Sequence, residues 1–145
     1  MLGRPAFHSP YSCAPLLSFR YVARLVLFQV LQMRILSIST DLELLQLRQF
    51  ILEGAGHEVV NLDSEKGALK AAESSDHFDV VLLCHRLPSA AGRQATRLFR
   101  HHHPDTRVVY IAHVYGEWPD VEADRYIVGT DGPEALVRVL QEVHA

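Results

Sequence analysis

Cysteine is scarce in this chain: Cys13 and Cys84 are the whole supply. They lie in unlike surroundings with no metal-type spacing, so no disulfide framework and no thiolate metal site is expected, and the chain reads as reduced and cytoplasmic. Neither sign of charge dominates. Fourteen Lys and Arg against 17 Asp and Glu leave a formal net charge of −3, which excludes a mainly electrostatic attraction to nucleic acid. A bilayer-spanning run is missing too: the apolar stretch at residues 16–31 is broken by Arg20 and Arg24, whereas a span needs about 20 residues without such charges. Neither G-x-G-x-x-G nor a P-loop occurs, so no nucleotide motif is present.

What remains has the apolar and charged content of an ordinary globular protein, 48% and 21%, in a length that suits one domain with a real core. Residues 1–32 are the least domain-like part. Pro5, Pro10 and Pro15 make a turn-rich opening. Arg20 and Arg24, four apart, would share one face of an amphipathic helix able to dock on a partner or a membrane surface. The alternative is that Met33 is the true start and the earlier residues are upstream sequence read in frame. The division expected is therefore an N-terminal extension at 1–32, poorly structured or amphipathic, and a domain at 33–145.

From Met33 a single rhythm sets in. Residues 34–39 form an apolar strand. Asp41 suits a helix cap, and Leu42, Leu45, Phe50 and Leu52 supply apolar positions along a helix that stops at Gly54 and Gly56. Strands are expected at 58–62, 80–83, 107–112 and 125–128, and helices at 64–73, 89–103 and 133–143, the last with Pro133 at a favourable first position. The unbroken apolar run from Val80 to Leu83 suits a central parallel strand buried on both faces. Alternation of this kind predicts an α/β fold: a doubly wound, five-stranded parallel sheet in a three-layer sandwich. The fourth crossover, between Ala112 and Arg125, is too short for a full helix with its loops.

The stretch from Phe78 to Pro88 carries a family resemblance. It resembles the receiver domain of bacterial response regulators, whose third strand ends in the phospho-accepting Asp and runs into a basic residue, an apolar residue, Pro and then Gly. Here Arg86, Leu87, Pro88 and Gly92 keep that frame, while Cys84 takes the acceptor's place. The resemblance covers nearly all of 33–145 and implies a flavodoxin-like strand order of 2-1-3-4-5. It also implies where phosphorylation chemistry would sit. The acidic pair that holds Mg²⁺ matches Ser39 and Thr40, followed by Asp41; the Ser or Thr of strand four matches Ala112; the Lys of strand five matches Gly129, followed by Thr130. Two hydroxyls in place of two carboxylates remove the ligands a hard cation needs, so no metal and no cofactor is expected. In receivers the fourth helix belongs to the face that switches and dimerises on phosphorylation, so that face is remodelled here.

Several residues admit two readings. Cys84 is either a reactive thiol, as a redox sensor or nucleophile, or a small apolar filler of a buried strand end. His101, His102 and His103 either converge on a metal or form a solvated helix end; three consecutive helical residues point to different sides, which favours the second. Tyr115 and Trp118, in the short fourth connection, either anchor a partner or plug the gap left by the missing helix. His85 and Arg86 line an anion site or an ordinary loop. The function expected is a stand-alone, receiver-like protein-interaction module of bacterial two-component phosphorelay ancestry. It is cytoplasmic, not an enzyme, independent of aspartyl phosphorylation, and bound to a signalling protein such as a kinase or another regulator. With no DNA-binding domain following the last helix, its output would pass through a partner surface. The alternatives are a small flavodoxin-like enzyme or ligand-binding protein using the crevice around Ser39, Thr40, Cys84 and Gly129, or a thiol redox sensor.

Overall fold

The structure is a computed structural model that describes residues 32–116 and 120–144. The extension expected at 1–32 lies almost wholly outside the described residues, as does Trp118. Gln32–Ala145 forms one compact unit. Among the described residues the elements run β1 (Arg34–Ile38), α1 (Leu42–Gly54), β2 (Glu58–Leu62), α2 (Glu65–Glu73), β3 (Val80–Cys84), α3 (Ser89–His102), β4 (Arg107–Ala112), β5 (Arg125–Val128), a 3-10 turn (Gly129–Asp131) and α4 (Pro133–His144). All four strand pairings are parallel, and the sheet order is β2-β1-β3-β4-β5.

Local chemistry sets the boundaries. Asp41 caps α1, its Oδ1 accepting from the amides of Glu43 and Leu44 at 3.1 and 3.2 Å. Ser64 caps α2 by accepting from the Gly67 amide at 3.0 Å. Gly132, at φ +85° and ψ 177°, takes a positive-φ extended conformation open almost only to glycine and releases the chain into α4. Every residue of β3 is buried, and its side chains alternate between two cores. Val81 and Leu83 join Leu36, Ile38, Phe99, Val108 and Tyr110 on one face. Val80 and Leu82 join Ile35, Leu52, Val109, Ile111 and the α4 residues Leu136, Val139 and Leu140 on the other.

Helix α1 departs from expectation. Leu45 and Leu52 are buried, but Leu42 and Phe50 are 58% and 79% exposed, as is Leu47 at 55%. At 100° per residue, positions 45, 48 and 52 fall on one stripe, 50 lies opposite it, and 42 and 47 lie on its two flanks. The middle of the buried stripe is thus Arg48, 7% exposed, while three large apolar side chains face outward.

No helix is found in the described parts of the fourth crossover, 113–116 and 120–124. Val121, 2% exposed, reaches the core instead. The Tyr126 hydroxyl donates to the Val121 carbonyl and accepts from the Ala123 amide, pinning the irregular segment 121–123 to β5. No helix among the described residues is long and apolar enough to cross a membrane.

Candidate functional site

The carboxyl ends of the strands form the crevice where ligands of open α/β sheets bind, and Cys84 closes β3 there. Alternation turns its side chain to the α1 and α4 face, and it is 1% exposed. Its neighbour is Arg48, which sequence reading passed over. Arg48 Nη2 donates to Cys84 Sγ at 3.4 Å, while Nη1 is buried with no hydrogen-bond partner among the described residues. A thiol is a weak acceptor, and removing a guanidinium from water costs several kcal/mol unless strong acceptors replace the hydration. A signal existed: Arg48 stands three after Leu45 and four before Leu52, inside the apolar stripe.

Three further groups that can carry positive charge stand near this pair. His85 Nδ1 is 3.7 Å from Cys84 Sγ, and the His85 ring lies 5.0 Å from that of His113. Burial pushes the His85 pKa down, opposed by a backbone hydrogen bond to Ile111, with His113, Arg86 and Arg48 adding to the lowering. Arg86 is partly solvated, with Nε 3.9 Å from Asp41 Oδ2. Arg48, His85, Arg86 and His113 all line a cleft of about 350 Å³ whose apolar walls are Leu44, Leu47, Ile51, Ile127 and Leu136.

The other expected positions divide. Ser39 is fully buried, and its Oγ accepts from the Asp41 amide at 3.1 Å. Thr40 is exposed and donates to the Arg86 carbonyl at 3.0 Å, tying the end of β1 to the loop after β3. Asp41 is occupied by capping α1. Gly129 begins the 3-10 turn and borders the cleft; a Cβ there would meet only ordinary contacts, the Ala112 carbonyl at 3.6 Å and Ile111 Cγ2 at 3.8 Å. Ala112 is brought to the same sheet edge, but its side chain belongs to the opposite core.

Tyr115 does not plug the gap left by the helix. It is 72% exposed, and its hydroxyl donates to Asp131 Oδ1 at 2.7 Å, an arrangement that raises its pKa. Val121 fills that gap instead, unmarked in the sequence because one valine in an irregular segment has no periodicity. His101 and His102 are exposed, and His103 packs its ring against Phe99 at 5.9 Å. Among the described residues no three His, Cys, Asp or Glu side chains are grouped so as to hold a metal ion.

No family model matches the chain and no curated protein matches it in sequence. Solved structures do. The receiver domain of the sensor histidine kinase PA1611 from Pseudomonas aeruginosa PAO1, with magnesium coordinated in its active-site cleft, superposes with a TM-score of 0.69 at 19% identity, covering 79% of this chain and 99% of that one. The response regulator TrrA from Thermotoga maritima, in complex with Mg²⁺ and BeF, gives 0.67 at 21% identity, covering 76% and 97%. The chemotaxis response regulator CheY4 of Vibrio cholerae gives 0.68 at 22% identity, covering 77% and 98%. Identities this low speak to architecture alone, and with the observed strand order of 2-1-3-4-5 they show that this chain has the fold of a response-regulator receiver domain.

Proposed function

We propose that this receiver-fold chain descends from two-component signalling and works as a protein-interaction module without aspartyl phosphorylation. The observation that carries the proposal is the Arg48 guanidinium 3.4 Å from Cys84 Sγ at the head of the crevice. Two of the receivers compared above, PA1611 and TrrA, hold magnesium, a hard cation that favours carboxylate oxygens. The matching places here offer the hydroxyls of Ser39 and Thr40 and the thiol of Cys84, so the residues present do not fit Mg²⁺. Arg48 adds repulsion. At an effective dielectric of about 20, unit charges about 4 Å apart interact by about 4 kcal/mol, so a divalent ion at that distance from the guanidinium is opposed by about 8 kcal/mol.

Without metal or acceptor, partner binding must supply whatever differential affinity moves the domain between states. Leu42 and Phe50, exposed on α1 away from the cleft, support the protein-interaction role, since large outward apolar side chains on one helix are the raw material of an interface core. The partner suggested by the fold is a signalling protein, a kinase or another regulator, in the cytoplasm. The chain itself is not an enzyme on this reading. Tyr115 and Trp118 stand as further partner contacts in the remodelled fourth connection. A redox-sensing role has less support, because burial of Cys84 restricts reagents' access to its sulphur.

The test is comparative capture of partners by the wild-type chain and by a Leu42→Glu, Phe50→Glu variant, each with and without acetyl phosphate and Mg²⁺. A partner held by the wild type, lost by the variant and indifferent to the phosphodonor supports the proposal. Capture that depends on the phosphodonor contradicts it.

A further inference from the structure

The cleft beside Arg48 has a composition that a protein-binding surface does not explain. Its walls are largely apolar, and among the described residues all its ionisable lining groups are of one kind: Arg48, His85, Arg86 and His113, with no carboxylate. Two described carboxylates border it and are engaged elsewhere: Asp41 accepts from two α1 amides and faces Arg86, and Asp131 accepts from the Tyr115 hydroxyl and the Val128 amide. Arg86 is therefore partly answered and over half exposed. His85 is held toward its neutral form by burial and by its cationic neighbours. One full charge is left without an answer, that of Arg48, more than nine-tenths buried with Nη1 lacking any partner among the described residues. Buried charges ordinarily stand opposite a countercharge, and among the described residues the acceptor facing this guanidinium is a thiol.

We propose that the cleft between α1 and the corner joining β5 to α4 binds a small organic monoanion, a carboxylate on an apolar body, with its acid group on Arg48. A carboxylate accepts in-plane N–H bonds from a guanidinium as a thiol cannot. A single unanswered cation selects one negative charge over two. The apolar body lies against Leu44, Leu47, Ile51, Ile127 and Leu136. A volume of about 350 Å³ is that of about a dozen waters at about 30 Å³ each, which sets the ligand near that many non-hydrogen atoms and falls within the range of small-molecule sites. Of the exposed apolar side chains of α1, Leu47 lines the cleft whereas Leu42 and Phe50 do not, so binding here does not depend on whether a protein also docks on Leu42 and Phe50.

Octanoate is a probe of matching size and charge, with acetate lacking the apolar body and octanamide lacking the charge. Calorimetric titration of the full chain should show saturable octanoate binding, and both analogues should bind at least about tenfold more weakly, a difference of about 1.4 kcal/mol. Arg48→Met should reduce octanoate to the level of octanamide. Ile127→Trp, which leaves Arg48 in place and fills the cleft from its β5 side, should abolish binding of both long-chain probes and keeps the test decisive if Arg48→Met fails to fold. Equal affinity for octanoate and octanamide, unchanged octanoate binding in either folded variant, or no saturable octanoate binding at millimolar concentration overturns the proposal.

Discussion

Replacing Arg48 with methionine should stabilise this protein, against the usual effect of altering a buried side chain. The guanidinium is 7% exposed, its one described acceptor is a thiol at 3.4 Å, and Nη1 has no partner among the described residues. Met has a similar unbranched reach, fits irregular apolar space, and would pack among Leu44, Leu47 and Ile51. Exchange of buried charges for apolar side chains of like size is often neutral or stabilising by about 1–4 kcal/mol. Loss of the weak N–H to sulphur bond returns at most about 1 kcal/mol. The net expectation is a gain of about 1–3 kcal/mol, which for a domain of this size raises the melting temperature by about 4 °C or more. Urea denaturation should show a higher midpoint with an unchanged slope, since the surface exposed on unfolding is the same. Cys84→Ala should instead lower stability, because it takes away the acceptor and leaves the charge. A loss of about 3–5 kcal/mol in Arg48→Met would refute the reasoning, since that is the cost of breaking a well-paired buried ion.

Val121→Ala should cost about 2 kcal/mol in denaturant unfolding, from about 0.8 kcal/mol per buried methylene and the cavity left behind, because Val121 fills the core in place of a crossover helix; a cost near zero would mean the segment does not pack as described. Gly132→Ala should cost about 1–3 kcal/mol from backbone strain alone, since φ is +85° with ψ 177° and a Cβ there would meet nothing within 4 Å. Stability should also fall as pH drops below about 6.5. His57 Nδ1 accepts from the Met33 amide at 3.2 Å, and burial first, then the charge of His144, lowers its pKa below the ordinary 6.5; His85 is lowered too. Just under 6.5 the unfolded chain binds more protons than the folded one, so the stabilisation is complete above 6.5 and is lost as pH falls through the folded values. His57→Gln should flatten that slope, and an unchanged slope would count against the assignment.

Much of this fold was written plainly in the sequence. The apolar run at Val80–Leu83 and the cap at Asp41 depend on local chemistry that survives folding unchanged, and the alternation of strand and helix places most helix limits within a residue or so; the sheet order was implied by the resemblance of Phe78–Pro88 to receiver domains. Helix α1 was harder. Leu42, Leu45, Phe50 and Leu52 are four apolar residues that a pattern search treats alike, yet only Leu45 and Leu52 turn inward. An apolar residue left outside and an arginine taken inside both violate the binary rule, and such violations gather at sites of function. The candidate site was legible only in part for the same reason. Cys84 announced itself by its place in the motif, but Arg48 comes from an earlier helix and meets it only through tertiary packing. Val121 gave no signal because it sits in irregular chain.

The central claim is that the crevice no longer performs aspartyl phosphorylation, and intact-protein mass spectrometry after incubation with acetyl phosphate and Mg²⁺ tests it most directly. The wild-type chain and Cys84→Asp should both stay unmodified, because a lone carboxylate would face the donor without the countercharge that stabilises phosphoryl transfer, and Arg48 beside it would still oppose the metal. An adduct should appear only after Ser39→Asp, Thr40→Asp and Gly129→Lys are added and Arg48 is replaced by Met, the root of the new lysine having room at Gly129. A stable phosphoryl adduct on the wild type or on Cys84→Asp alone would contradict the account and would point to Asp41 as a metal ligand.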